Sequence, residues 1–451
     1  MLCLFIIELL ESFDHQTESD WDVWIICRRG FGVKGNKIIL RGPLLGYSCR
    51  VTGPVTGLGR NLDGVRRGNL SAVLGLVHRT GGASRSQITQ LTGLNRSTVA
   101  ALVGELVELQ LVVENNPEAT NRVGRPSPVV TPHPRTVAIA VNPELDAITV
   151  GIVGLGARVV RRVRREVDHP VTAEETAALI AEVVAELTGE LADRRVVGIG
   201  LAVPGLVRSA DDMVRWAPHL NWTDSAIVPL VEAATGRAAR AGNDASLGGW
   251  AEYLFGVGQG IDDLIYLNGG ASGIGGGVIS GGRALGGHNG FAGEFGQNRP
   301  GFTDIADRRT PHGTLEDEVS RARLLAELGL PGGDEATLEA ALLGSDSPAV
   351  REELARQRRV LAVALSNAIN VLNPELVVLG GFLAGIHASD PEGLERDVAA
   401  QAVRAAWEGT RIRPAALGED RLMIGAAELA FSALLADPAG EGTPDSSRGD
   451  S

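Results

Sequence analysis

Two groups of residues have the types and spacing to do chemistry. The first is a set of carboxylates and amides set among glycines: Asn243-Asp244-Ala245, Glu294-Phe-Gly-Gln297 and Gly313-Thr-Leu-Glu316. Together they offer both acceptors and donors, which is what a ring of sugar hydroxyls needs. The glycines allow close backbone approach. Singly these residues say less. An isolated Asn-Asp-Ala reads as a turn or a helix cap, and isolated Glu294 and Glu316 read as surface carboxylates. The second group is Arg85, Asn95, Arg96, Ser97, Thr98 and Arg125. Arginines and small hydroxyls at a helix start can reach phosphates and base edges of DNA.

The second group needs a helix-turn-helix to present it. Ser84-Arg-Ser-Gln87 has capping-box spacing ahead of a helix over Arg85–Leu91. Thr92-Gly93-Leu94 then makes a turn, with Gly93 at a C′-type position. Asn95 can cap a second helix over Arg96–Leu109. Ile88, Leu91, Leu94, Val99, Leu102 and Leu106 would keep one apolar face across both helices, and the second helix could enter a major groove. Leu111–Glu114 and Ser127–Val130 can pair as a wing. Gly124-Arg125-Pro126 lies between them, slim enough for a minor groove. The bland alternative is a helical hairpin that touches no DNA. The net charge of the chain, −13, argues against a nucleic-acid binder. Charge by segment argues the other way, because residues 60–125 hold eight arginines against five carboxylates.

The first group needs a larger scaffold. Strand patterns run over Thr136–Val141, Ala147–Val153 and Val159–Val167, with Gly154–Gly156 turning the chain between the last two. A helix is expected over Ala173–Leu191 and a buried strand over Val196–Val203. Leu264–Leu267 and Gly276–Ile279 form a second strand group. Val360–Leu372 reads as an apolar helix, and Leu376–Leu379 as a short strand ending in Gly380-Gly381. Two such blocks predict a two-lobed α/β domain. His219 and His288 fall in loop-like stretches.

The ordered motifs of this domain resemble the ROK family (repressors, open reading frames and kinases). They are Gly198-Ile-Gly-Leu-Ala-Val-Pro-Gly205, Asn243-Asp244-Ala245, Gly273-Ile-Gly-Gly-Gly277, Gly282-Arg283, Ala292-Gly-Glu-Phe-Gly296, Gly313-Thr-Leu-Glu316, and Asn373-Pro374 followed by Gly380-Gly381. The resemblance spans roughly residues 62–436. It implies an actin-like, two-lobed sugar-kinase fold behind an N-terminal winged helix. It also implies that Asn243, Asp244, Glu294, Gln297 and Glu316 face a sugar. In the family's kinases the match of Asp244 is the general base that deprotonates the attacking hydroxyl.

Three departures from the family pattern bear on function. Where the kinases have an Asp-x-Gly-Gly-Thr phosphate loop, this chain has Asn142-Pro-Glu-Leu-Asp146, which lacks glycine, loses one amide donor at Pro143 and adds negative charge. The family's Glu-x-Gly-His reads Glu294-Phe-Gly-Gln297. Its cysteine-rich zinc loop would fall between Gln297 and Glu316, where His312 stands alone as a zinc ligand. No zinc or other cofactor is therefore expected, and what else holds that loop is not legible.

The resulting expectation is a cytoplasmic, sugar-responsive transcription regulator, repressor rather than enzyme. It would act as a homodimer or homotetramer on operator DNA, without membrane contact. An ATP-dependent sugar kinase using Asp244 as base is the alternative, and a regulator answering to a partner protein is a third. The expected domains are a leader at 1–58, a winged helix-turn-helix at 59–133, a sensor at 134–436 and a disordered tail at 437–451. The leader differs in composition. It holds all three cysteines (Cys3, Cys27, Cys49) and both lysines (Lys34, Lys37), whereas every later basic charge is arginine. Translation is expected to start near Val51 or Val55, with a genuine N-terminal extension as the alternative.

Overall fold

The computed structural model describes residues 62–115 and 128–440. Residues 1–65 and 66–451 separate as two compact units. Of the first, only 62–65, the opening turn of a helix, are described; the expected leader lies outside the described residues.

The second unit begins with three helices and a small sheet. Helix α1 spans Leu62–Thr80, α2 Arg85–Thr92 and α3 Arg96–Glu108. Strands β1 (Ala83–Ser84), β2 (Val112–Asn115) and β3 (Val129–Pro132) pair antiparallel in the order β1-β3-β2. The local signals work as expected. Ser84 and Gln87 form a reciprocal capping box, Gly93 ends α2 in the left-handed region at φ 71°, and the Asn95 side chain accepts the Thr98 amide. Ile88, Val99, Leu102 and Leu106 are buried. Leu91 is not: it is 64 % exposed, and Val103 takes the inward position instead. The left-handed turn at Gly93 redirects the chain between α2 and α3, so one apolar stripe does not run straight through both.

Two lobes follow, built on one topology. The first sheet has the order β11-β7-β4-β5-β6: β4 (Thr136–Pro143), β5 (Ala147–Gly154), β6 (Arg158–Glu166), β7 (Arg195–Val203) and β11 (Ala239–Asn243). The second has the order β14-β13-β12-β15-β16: β12 (Leu264–Gly270), β13 (Gly273–Ser280), β14 (Arg283–Ala284), β15 (Leu376–Gly381) and β16 (Arg411–Pro414). In each, an antiparallel meander is continued on its other side by parallel strands. A fourth sheet, of β8 (Leu206–Arg208), β9 (Met213–Ala217) and β10 (Trp222–Ser225), was not legible in the sequence. The helix expected over Ala173–Leu191 breaks at Leu187: α4 spans Ala173–Glu186, and a separate short turn covers Thr188–Leu191. The helix expected from Val360 starts twelve residues earlier: Pro348 occupies its first turn, where a missing amide costs nothing.

The first sheet sorts its residues by size. Val137, Ile139, Val141 and Leu201 face α4 and α5 (Ile227–Thr235), while Ala138, Ala140 and Ala202 face the last helix. Small residues on one face let that helix come unusually close. A Cβ on Gly200 would lie 1.8 Å from the Ala426 carbonyl oxygen, so no side chain fits there.

Helix α6 (Asp244–Phe255), helix α7 (Leu315–Glu318), helix α8 (Pro348–Leu372) and the last helix, α9 (Arg421–Ala436), carry the functional geometry. One apolar core runs from Leu70, Val73, Val77 and Leu106 of the helical module through to Val153, Met423 and Phe431 of the lobe. The module is thus not strung on a loose linker. Asp437–Gly440 also turn back on it: Pro438 is buried and Asp437 pairs with Arg67 at 3.3 Å, so the chain leaves the core later than its composition implied.

Candidate functional site: an interlobe cleft

A cleft of about 770 Å³ lies between the lobes. The turn joining β4 and β5 forms one wall, with Asn142, Glu144 and Asp146. Gly269–Ser272 and Asp334–Glu335 form the opposite wall. Asp244, Pro204 and His219 lie along it, and Arg421, Leu422 and Met423 close it with the first turn of α9.

Asp244 begins α6 because Asn243 ends β11. Asn243 is the cap of that helix: its side-chain oxygen accepts the Ser246 amide at 2.8 Å, and its amide group donates to the Gly205 carbonyl at 3.1 Å. The capping role is therefore real, and the amide group of Asn243 is engaged as well, since it also donates to Asp244 Oδ1 at 3.3 Å. Asp244 accepts the Ala245 amide at 2.8 Å. Burial pushes its carboxyl up to about 6, against the pull of that amide and of the Arg421 charge.

Glu294 stands near enough to Asp244 and Glu316 for their charges to reinforce burial in raising its carboxyl. Glu316 is fixed on both oxygens, one accepting the Ile274 amide at 3.3 Å and the other the Gln297 side-chain amide at 2.6 Å. Space here is set by missing side chains: a Cβ on Gly296 would lie 2.1 Å from the Ile274 carbonyl oxygen and 2.8 Å from Glu316. The residues predicted as sugar-facing are thus gathered around the start of α6 and α7, although 72 residues separate Asp244 from Glu316. Sequence reasoning missed Arg421. It is buried and paired with Glu335 at 2.5 Å, and no local motif marks it.

The loop over 298–314 does not fit zinc. It has no cysteine, His312 is exposed, and no group of three or more His, Cys, Asp or Glu among the described residues could hold a metal ion.

Of the residues expected at DNA, Arg96 and Ser97 are exposed and Thr98 is half-buried at the start of α3. Asn95 is occupied as the cap, accepting Thr98 N and Ser97 Oγ. Arg85 is tied to Glu114 at 2.6 Å, which draws it towards the small sheet. Arg125 lies outside the described residues.

Two similarly built sheets, a carboxylate-lined cleft between them and a helical module in front define a two-lobed domain of sugar-kinase type. The profile of the ROK family matches residues 139–433, and the chain belongs to that family. A xylose repressor from Caldicellulosiruptor bescii is 26 % identical over 386 residues, covering 79 % of this chain and 93 % of that protein. A glucokinase from Streptomyces coelicolor is 27 % identical over 260 residues, covering 52 % of this chain and 80 % of the glucokinase. Among solved structures, a ROK family transcriptional regulator described as a homolog of the E. coli MLC protein superposes with a TM-score of 0.65 at 22 % identity, covering 82 % of this chain and 97 % of that one. No described helix is long and apolar enough to cross a membrane.

Proposed function

We propose that this protein is a sugar-responsive transcription regulator of carbohydrate genes, a repressor, with residues 59–133 as a winged helix-turn-helix and 134–436 as its sensor. Arg96, Ser97 and Thr98 would meet DNA from the exposed start of α3, with Arg125 at the wing tip. Asp244, Glu294, Gln297 and Glu316 would hold hydroxyls of a sugar, with Asn243 fixing the start of α6. The likeness to a xylose repressor over most of both chains makes a pentose the first candidate.

The observation that carries this reading is helix α9. Its first turn lines the cleft, and its later turns form the floor on which the helical module sits. A ligand that changes how the lobes close must act on this helix, and the module rests directly on it. That is the differential contact a ligand needs in order to shift DNA affinity. A closed two-fold assembly, dimer or tetramer, would match a palindromic operator.

Phosphoryl transfer is less well supported. It depends above all on positioned phosphates. At the β4–β5 turn Pro143 has no amide hydrogen, and the Glu144 amide is spent on the Ala147 carbonyl at 2.7 Å. Glu144 and Asp146 would face the phosphates, and Arg164 is already paired with both, while Arg162 is held by Glu419 and Asp420. No zinc or other cofactor enters this proposal.

The test is a mobility shift on the gene's own upstream DNA at stated salt, with a panel of pentoses and hexoses. Specific binding altered by one sugar, and insensitive to that sugar in Asp244→Ala, is the expected result. Sugar-dependent ATP turnover by the wild type that Asp244→Ala abolishes, without specific DNA binding, would overturn it in favour of the kinase.

A further inference from the structure

The largest fully buried side chain in the described structure is an arginine. Arg356, on α8, is 1 % exposed, and its partner Glu318 is 0 % exposed. The guanidinium gives every N–H it has. Nη1 donates to the Asp307 carbonyl at 2.8 Å and to Glu318 Oε2 at 3.1 Å. Nη2 donates to the Glu318 carbonyl at 2.6 Å and to Glu353 Oε1 at 2.7 Å, and Nε to Glu353 Oε2 at 2.9 Å. Glu318 in turn accepts the amides of Arg309 and Thr310 and the Thr310 hydroxyl, at 2.7–3.0 Å. Arg359 holds Asp307 through both carboxylate oxygens, and Gln357 bonds the Ser320 backbone on both its N–H and C=O. The whole segment 307–320 is stitched to α8 in this way.

A buried ion cluster gains little stability, because desolvation offsets most of the attraction. What it does secure is position, since five donors in a rigid fork admit one arrangement. The position concerned is that of Glu316. Glu318 ends the four-residue helix α7, and Glu316 is its second residue. A single residue, Asp317, separates the buried anchor from the carboxylate that meets Ile274 and Gln297.

We infer that Glu318 and Arg356 are positioning residues that set where Glu316 stands against Ile274 and Gln297, in a loop whose side chains do not suit a metal. The functional meaning of this inference rests on the sugar-pocket reading. Its geometric content does not, because the Ile274 amide reports on Glu316 with no ligand present.

The experiment is amide hydrogen exchange on the full-length protein, comparing wild type with Glu318→Gln and Arg356→Lys. The expected result is faster exchange, on the order of tenfold, at Arg309 and Thr310 and also at Ile274, with β15 unchanged. Loosening at 309 and 310 with Ile274 still protected would overturn the inference, since the cluster would then hold only its own loop. Unchanged exchange throughout would also overturn it, as would loosening of the wild-type loop by a chelator alone. If a single variant fails to fold, the pair Glu318→Leu with Arg356→Met removes both charges while retaining bulk, and the same criteria apply. D-xylose and D-glucose titrations then separate the two readings. A sugar that binds wild type and Glu316→Gln equally well overturns the sugar pocket while leaving the positioning result standing.

Discussion

Asp244 sits at the start of α6 with the Ala245 amide and the Asn243 side-chain amide as donors and the Arg421 charge nearby, and burial still holds its carboxyl at about 6. Its folded value lies above the ordinary 3.8, so the folded state binds its proton more tightly than the unfolded chain does. The resulting cost to stability is absent below about pH 4, grows as pH rises and is complete above pH 6. Asp244→Asn should therefore stabilise the protein at pH 8 by up to about 3 kcal/mol, with the gain fading towards pH 4. Urea unfolding across that range measures it. A gain independent of pH would mean that the carboxylate is not strained by burial. A carboxyl shifted by burial in a cleft marks Asp244 as a candidate for a site rather than for the fold. Asn243 shows the converse. Its acceptor is committed to a cap, so its type alone could not tell a ligand from a scaffold residue.

At the scale of elements, the start of α3 separates presentation from contact. Asn95 holds the first turn through the Thr98 amide and the Ser97 hydroxyl, whereas Arg96 makes no side-chain hydrogen bond or ion pair among the described residues. Asn95→Ala should cost about 1 kcal/mol in urea unfolding and weaken operator binding by fraying the turn. Arg96→Ala should leave stability within about 0.5 kcal/mol and still weaken DNA binding, by mobility shift. Equal stability losses in the two would contradict that division. Elements of this kind were legible because caps and turns act over three or four residues: Ser84, Gln87, Gly93 and Asn95 all do what their spacing implied. The small sheet β8–β10 was not legible. Its strands are three to five residues long and are defined by pairing rather than by any internal pattern.

At the scale of the molecule, the module and the sensor share one core and one buried polar contact. His78 of α1 is 1 % exposed. Its Nδ1 accepts the Gly156 amide at 2.9 Å, so the ring proton sits on Nε2 and is given to Glu428 of α9 at 2.9 Å. Phe255 and Phe431 pack edge-on against the ring. Ser71 adds a bond to the Leu435 carbonyl at 2.6 Å, and Arg195 reaches the Leu109 carbonyl at 3.2 Å. Glu428→Ala strands the buried imidazole N–H and should cost roughly 1–3 kcal/mol in denaturant unfolding. If α9 couples the cleft to the module, the same variant should also shrink the sugar-dependent change in operator affinity. Full retention of that change would place the coupling elsewhere. The amino-acid sequence alone determined the order of elements, the helix caps, the Gly-rich approaches around the carboxylates and the likeness to a family, because each depends on neighbours a few residues apart. The tertiary structure decided the rest. Glu428 meets His78 across 350 residues, Arg356 meets Glu318 across 38, and Arg421 closes a cleft whose other wall is formed by residues 142–146. Such pairings are set by how sheets and helices pack, and a buried arginine or histidine carries no local mark of the partner that packing will bring to it.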